Sequence, residues 1–261
     1  MRGLYLIPNR AEINEFVELA NAYGAYYEYN DFFMGEVLDD KKKQAEIIDF
    51  YAKVRNDFSK DTMHGAFLDI TVHSTDQRMK EISELRVRQS MDVAKEMGLR
   101  GVVFHTNRIY AFREENYLKN WEEANYRFFT TLCEEYPNQQ IFMENMFDES
   151  PDMLIRLAER MKDCTNFGVC LDYGHGAISD IAESGWMRLM APYVKHMHIN
   201  DNDGSNDLHL ALGDGRLKWK KFTKEIADYQ MDTTVLIEVK GIEKQRKSLE
   251  YMKENHIFPL V

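Results

Sequence analysis

The sequence predicts an α/β protein, a single domain over residues 1–261 in which eight parallel strands and their helical crossovers form a (β/α)8 barrel. Short β-rich runs alternate with longer, charged, amphipathic stretches along the chain, which is the pattern of βα units. Eight such runs fit into 261 residues, a length at which an α/β barrel forms one unit. A doubly wound sheet usually has fewer units, and no Pro-, Gly- or Ser-rich linker interrupts the alternation.

The predicted strands are short and rich in apolar residues. They cover residues 3–7, 25–29, 62–68, 101–106, 140–145, 167–172, 194–200 and 233–239. Helical patterns between them include residues 76–97, 114–135, 150–161 and 219–229. The pattern at 150–161 opens with Ser150 as a candidate N-cap and Pro151 at the first helical position, which is a typical helix start.

Composition narrows the range of partners. The chain has 33 Lys and Arg against 44 Asp and Glu, a net charge of -11, which repels the nucleic-acid backbone and disfavours a nucleic-acid partner without excluding it. No stretch is as long and apolar as a membrane span or a secretory signal, so we expect a cytoplasmic protein with no membrane partner. Three Cys without CxxC spacing predict neither a disulfide framework nor a thiolate zinc site.

In a barrel of this kind, the chemistry lies at the carboxyl ends of the strands and in the loops after them. Acids and histidines occupy these positions in the predicted pattern. They are His64, His105, Glu144, Asp172, His175, His198, Asp207, His209 and Glu238. Five imidazoles and four carboxylates, with no Cys among them, make a ligand set suited to Zn, Mn, Mg or Co.

Two of these carboxylates close apolar strands. Because burying an ionised carboxylate is costly, Glu144 and Glu238 each need a metal, a cation or strong hydrogen-bond donors. For either carboxylate alone, a salt bridge across the barrel mouth would be a sufficient partner, so a purely structural role for each glutamate stays open. Asp172 and His175 are three apart across a glycine turn, a spacing that brings both side chains to one side.

Histidines elsewhere need a separate interpretation. Strand alternation predicts that His196 and His198 face the same way, although only His198 lies near the strand end. We interpret His196, together with His73 and His256, as ordinary packed or exposed histidines.

These segments resemble the xylose isomerase-like TIM-barrel superfamily, in the branch that joins endonuclease IV with sugar phosphate isomerases and epimerases. The resemblance rests on MHGAF (63–67), VFH (103–105), MEN (143–145), GVCLDYGH (168–175), MHIND (197–201), DLH (207–209), LGDG (212–215) and LIE (236–238). Endonuclease IV holds three zinc ions, and the resemblance assigns its nine ligands to the nine residues named above. For the isomerases and epimerases it implies one divalent metal held by Glu144, Asp172, His198 and Glu238, with the two glutamates as proton donor and acceptor.

The leading hypothesis is therefore a metal-dependent isomerase or epimerase of a small sugar or sugar phosphate, with one to three divalent ions as cofactor. Glu144 and Glu238 would move the proton and His175 would hold a substrate hydroxyl. Basic residues near the strands are candidates for binding a substrate phosphate or carboxylate: Arg108, Lys195 and Lys240.

The alternative is a multi-metal phosphoester hydrolase like endonuclease IV, of AP endonuclease family 2, which the complete set of nine ligands favours. Residues 30–40 speak against DNA, because endonuclease IV grips and bends its substrate there with basic and aromatic residues. Here the segment contains four acids and no Lys or Arg. A catalytically silent barrel that binds metal or carbohydrate is a third hypothesis, and the oligomeric state stays open.

Overall fold

The computed structural model describes residues 3–67 and 69–261. Its strands are β1 (Leu4–Leu6), β2 (Tyr26–Tyr29), β3 (Thr62–His64), β4 (Gly101–His105), β5 (Gln140–Glu144), β6 (Phe167–Asp172), β7 (Val194–Ile199) and β8 (Thr234–Ile237). They form a closed barrel in chain order, and the described ladders are parallel. The predicted (β/α)8 barrel is confirmed.

Helices separate the strands. A short 3-10 helix, Arg10–Glu12, precedes α1 (Ile13–Tyr23), and the others are α2 (Gly35–Leu38), α3 (Lys41–Ala52), α4 (Gln77–Met97), α5 (Glu115–Glu135), α6 (Asp152–Arg160), α7 (Tyr173–Ala177), α8 (Glu183–Met190), α9 (Trp219–Asp228) and α10 (Ile242–Asn255). Local signals set their ends. The side chain of Asp76 caps α4 by accepting from the backbone of Arg78 and Met79, and the helix ends at Gly98, whose φ is 70°.

Strand β3 is shorter than predicted. It ends at His64, the backbone N–H of Gly65 still donates to the carbonyl of Val103 in β4, and a Cβ on Gly65 would overlap the Phe104 ring. The rest of the predicted run is not strand as far as Phe67, and Leu68 lies outside the described residues. Consequently His64 occupies the last position of its strand, where the barrel rule places functional groups.

The contacts of the chain divide it into two compact units. The first unit contains residues 3–28, 145–151 and 169–261, and the second contains 29–144 and 152–168. In the first unit, β1 pairs with β2 and β8, and β7 pairs with β6 and β8. In the second, β4 pairs with β3 and β5. That residues 1–261 form a single domain stays a prediction.

Two further observations concern the composition of the chain. The sequence predicts no disulfide framework. The three cysteines are free thiols in the structure: Cys133, Cys164 and Cys170. Over residues 3–67 and 69–261, no helix combines the length and apolar character needed to cross a membrane.

His73 makes the stability of the protein depend on pH. The imidazole is buried before helix α4, and burial lowers its pKa from 6.5 to about 4. Between these values the unfolded chain binds a proton that the folded protein does not, so stability falls as pH falls from 6.5 to 4. The loss approaches about 3 kcal/mol at the lower end.

We expect a His73→Gln variant to lose this contribution. Urea unfolding at pH 7.5 and pH 4.5 measures it, because the effect of the variant at pH 7.5 reports packing and the contact of His73 Nε2 with the Tyr117 hydroxyl, without the proton. Equal slopes of stability against pH in the two proteins would contradict the assignment.

Candidate metal centre and active site

Three candidate ligands meet in the first unit at the ends of β6, β7 and β8. The β6–β7 register pairs Asp172 with His198, and the backbone N–H of Glu238 donates to the carbonyl of Ile199 at 2.9 Å. One ligand atom from each of Asp172, His198 and Glu238 lies within 4.8 Å of the others. We call this group the Asp172 cluster.

The members of the Asp172 cluster differ in exposure. The side chains of Asp172 and His198 are fully buried, whereas that of Glu238 is 14% exposed. Asp172 caps helix α7 by accepting from the backbone N–H of His175, and its other oxygen accepts from the side chain of Asn200 at 3.2 Å. These bonds fix the Asp172 carboxylate, and Glu238 is the less enclosed carboxylate of this cluster.

A further carboxylate, not predicted from the sequence, lies on the other side of His198 from Glu238. Glu28 is completely buried, with Oε1 2.9 Å from His198 Nε2 and Oε2 3.1 Å from His196 Nε2. Burial by itself opposes ionisation of Glu28, but the charges and hydrogen bonds of His198 and His196 outweigh it and hold its pKa far below the usual range. His196 is packed, as predicted, with Nδ1 2.6 Å from Thr234 Oγ1.

The signal that identifies Glu28 was present in the sequence. Strand β2 reads Tyr26-Tyr27-Glu28-Tyr29, so a carboxylate interrupts an aromatic strand just as Glu144 and Glu238 end apolar ones. The cost of burying such a carboxylate applies equally to Glu28.

The first unit contains a second group of candidate ligands, which we call the Asp207 cluster: His175, Asp207 and His209. His175 Nδ1 lies 2.8 Å from the carbonyl oxygen of Asn145, and His209 Nδ1 lies 2.7 Å from that of Glu238. Because a carbonyl oxygen only accepts, both Nδ1 atoms carry the hydrogen. The other ring nitrogen, Nε2, faces Asp207 in both residues. Asp207 Oδ2 lies 3.4 Å from Nε2 of His175 and 3.0 Å from Nε2 of His209.

Charge is strongly coupled within the Asp207 cluster. Burial lowers the pKa of His209, but the hydrogen bond with Asp207 and the negative charges of Glu238 and Asp172 raise it to about 9. Burial raises the pKa of Asp207, yet the hydrogen bonds with His175 and His209 bring it well below its usual range. The cluster thus favours an ionised carboxylate beside a positive charge.

Asp201 organises the loop that carries Asp207 and His209. Its buried carboxylate accepts hydrogen bonds from the backbone of Gly213 and Leu217 and from the indole of Trp219, at 2.9 to 3.1 Å. The LGDG segment (212–215) is held by these bonds before helix α9 begins at Trp219.

A third group, the His64 cluster, lies in the second unit and contains His64, His105 and Glu144. The β4–β5 register pairs His105 with Glu144. The two Nε2 atoms are 3.2 Å apart, and Glu144 Oε2 lies 3.6 Å from that of His64 and 3.2 Å from that of His105. His64 Nδ1 is 2.9 Å from the Gly65 carbonyl, so His64 also directs its lone pair from Nε2 into the cluster.

The donor chemistry of all three clusters fits a divalent cation. Carboxylate oxygens and imidazole nitrogens converge without sulfur, and backbone carbonyls hold the outer nitrogens of His64, His175 and His209. The nine ligands predicted from the sequence all belong to one of the three clusters. That they bind a metal stays a prediction.

The three basic residues predicted to bind substrate differ in exposure and in their position relative to the candidate ligands. Arg108 is buried in the loop after β4, and Lys240 is exposed two residues after Glu238. Lys195 is exposed, and strand alternation turns its side chain away from the side of β7 that carries His196 and His198. The structure does not bring Lys195 to the candidate ligands, so we leave it out of the proposed substrate site.

Aromatic rings flank two of the clusters. Phe147, 46% exposed, lies against His175 with ring centroids 5.4 Å apart. In the second unit, Phe67 contacts His64 and His105 at 5.2 and 5.3 Å. Apolar walls beside a few polar groups are typical of sites for small molecules.

Comparison with known proteins identifies the family. The family model described as "Xylose isomerase-like TIM barrel" matches residues 17–255. The chain belongs to this family. An uncharacterized protein from Methanocaldococcus jannaschii is 26% identical over 233 residues, which cover 82% of this chain and 86% of that one.

Solved structures of the same fold include both classes of enzyme that the sequence resembles. A D-tagatose 3-epimerase-like protein aligns with a TM-score of 0.73 and 20% identity, covering 97% of this xylose isomerase-like chain and 96% of the other. Endonuclease IV from Thermus thermophilus aligns with a TM-score of 0.62 and 17% identity, covering 97% and 98%. At these identities the alignments show the shared fold.

Proposed function

We propose that the protein is a divalent-metal-dependent isomerase or epimerase of a small sugar or sugar phosphate. The observation that carries the proposal is the Asp172 cluster, in which Asp172 and His198 are fully buried and the side chain of Glu238 is 14% exposed. The fold is shared with a D-psicose 3-epimerase whose structure contains D-tagatose, at a TM-score of 0.69 and 12% identity. This relationship supports a ketose as the first substrate to test.

We infer that one ion is held by Asp172, His198 and Glu238 together with Glu144, the set that the family resemblance implies. When bound, a divalent ion polarises the substrate carbonyl and so acidifies the neighbouring carbon. Glu144 supports this role because it is a fully buried carboxylate at the carboxyl end of β5.

The two glutamates are the proposed acid and base. An ionised carboxylate within hydrogen-bond reach accepts a proton from the carbon beside the carbonyl, and a second carboxyl group returns a proton to the product. Glu238 is suited to meeting substrate because its side chain is partly exposed. His175, beside the exposed ring of Phe147, is the proposed contact for a substrate hydroxyl.

A second candidate function is a multi-metal phosphoester hydrolase. The Asp207 cluster and the His64 cluster favour it, because a one-metal isomerase does not require either. Segment 30–40 disfavours a nucleic-acid substrate, because its four acids repel phosphate groups. Two of these acids are held by neighbouring side chains: Asp39 pairs with Arg86, and Asp31 accepts a hydrogen bond from Tyr51.

Metal content and hydrogen exchange test the proposal together. Protein purified without chelator should contain about one equivalent of metal as an isomerase and about three as a hydrolase. Incubation with D-tagatose and D-psicose in deuterated water should label the carbon next to the carbonyl. Absence of metal would overturn both functions, whereas cleavage of an abasic-site duplex that Glu144→Ala abolishes, with no exchange, would favour the hydrolase.

Asp207→Asn separates the two functions. The proposed isomerase ion does not use Asp207, so we expect the variant to keep its metal equivalent and an exchange rate within about tenfold of the native rate, since the remaining change is the charge near the site. A matched control is Asp203→Asn, an exposed acid of the same loop. Loss of about two equivalents of metal from a protein that began with three would instead identify a multi-metal site.

A further inference from the structure

The buried side of His198 carries an arrangement that the proposed reaction does not use. Glu28, His196 and His198 are each fully buried, and the Glu28 carboxylate lies between the two imidazoles, with one oxygen toward each Nε2. His196 is held on its other side by Thr234, at 2.6 Å between Nδ1 and Oγ1. The Glu28 side chain is thus oriented by contacts at both of its oxygens.

This arrangement selects one tautomer of His198. Carboxylates only accept hydrogen bonds, and Glu28 Oε1 lies 2.9 Å from Nε2 whereas Glu238 Oε2 lies 3.6 Å from Nδ1, so a neutral His198 carries its hydrogen on Nε2. In a neutral imidazole the lone pair then lies on Nδ1, which is the nitrogen that faces Glu238, at 3.6 Å from its Oε2. Glu28 therefore leaves His198 with a lone pair directed into the Asp172 cluster.

His198 differs in this respect from three other candidate ligands. His64, His175 and His209 each donate from Nδ1 to a backbone carbonyl and direct Nε2 toward their clusters. For His198 the roles of the two nitrogens are reversed, and the acceptor is a charged side chain. A carboxylate acceptor makes the imidazole a more basic ligand than a carbonyl does.

We propose that Glu28 is a positioning residue that fixes the tautomer of His198 and thereby tunes the affinity of the Asp172 cluster for a divalent ion. The inference rests on the proposed function in so far as His198 is a metal ligand. The geometry itself comes entirely from residues of the first unit. His196 contributes by holding the second oxygen of Glu28.

Two substitutions distinguish this role from simple packing. Glu28→Gln keeps the volume but replaces one acceptor by a donor, so one imidazole must change its tautomer. Glu28→Asp loses a methylene but keeps two acceptor oxygens and the charge. A tautomer-fixing role predicts that Zn²⁺ affinity falls most in Glu28→Gln, by about 10- to 100-fold, whereas a packing role predicts the larger loss in Glu28→Asp.

The test combines titration with Zn²⁺ and ¹⁵N NMR of the imidazoles in metal-free protein. In the native protein we expect hydrogen on Nε2 of His198, and in Glu28→Gln a mixture of tautomers. Glu225→Gln is the control, because Glu225 is a buried carboxylate in helix α9 that is paired with Lys221 and should leave both readouts unchanged.

The outcomes keep the two proposals apart. A neutral His198 that carries its hydrogen on Nδ1 in the native protein would overturn the inference even if Zn²⁺ binds, and the result needs no variant to fold. Unchanged Zn²⁺ affinity in Glu28→Gln would also overturn it. Native protein that shows the expected tautomer but binds no divalent ion would contradict the proposed function instead.

Discussion

Glu238→Gln is expected to reduce the rate of metal-dependent hydrogen exchange at the substrate carbon by roughly 10³-fold, within the range of 10² to 10⁴ that general acid-base catalysis supplies. The amide has nearly the shape of the carboxylate but cannot accept a proton. Glu238 is the member of the Asp172 cluster with an accessible side chain, so the loss should fall on the chemical step.

The measurement separates chemistry from metal loss. Exchange is followed at saturating Mn²⁺ or Co²⁺, with bound metal determined in the same samples. Glu243→Gln is the matched control, because Glu243 is exposed in the first turn of helix α10 and should leave exchange unchanged. A fully metal-loaded Glu238→Gln variant that exchanges within tenfold of the native rate would remove Glu238 from proton transfer.

Asp201→Asn is expected to lower the free energy of unfolding by about 2 to 6 kcal/mol. One carboxylate oxygen accepts from the backbone of Asn202 and Leu217, and the other accepts from Gly213 and from the Trp219 indole. Asparagine has one acceptor oxygen and so leaves two of these donors unsatisfied, at about 1 to 3 kcal/mol each.

Urea unfolding measures this loss, and Asp214→Asn provides the control. Asp214 lies in the same loop but pairs with Lys247 at the surface, so its replacement should cost less than about 1 kcal/mol. Equal stability of the two variants would show that Asp201 does not hold the loop.

The strands and helices follow closely from local patterns in the sequence. Strand β6 has the bounds 167–172 that were predicted, and helix α4 starts after the capping residue Asp76. Such features depend on alternation, capping and turn residues within a few positions of each other. Strand β3 ends earlier than predicted, and the close approach of Gly65 to the Phe104 ring is a contact between residues distant in the chain that local spacing does not show.

The candidate site could also be assembled in part from the sequence. The rule that functional groups lie at strand ends selected the nine residues of the three clusters, and alternation along β7, applied to Lys195, would have separated it from His198. Glu28 was missed although its position in an aromatic strand carried the same signal as Glu144. Nothing local to Asp201 showed that four donors would converge on it.

By itself, the sequence determined the barrel and the set of candidate cation ligands near its strand ends, since these depend on periodicity and residue type. Only the tertiary structure decided which nitrogen of each imidazole faces a cluster. That choice depends on the acceptor on the far side of the ring, a backbone carbonyl for His175 and the Glu28 carboxylate for His198. Acceptors that come from distant parts of the chain leave no trace in local spacing.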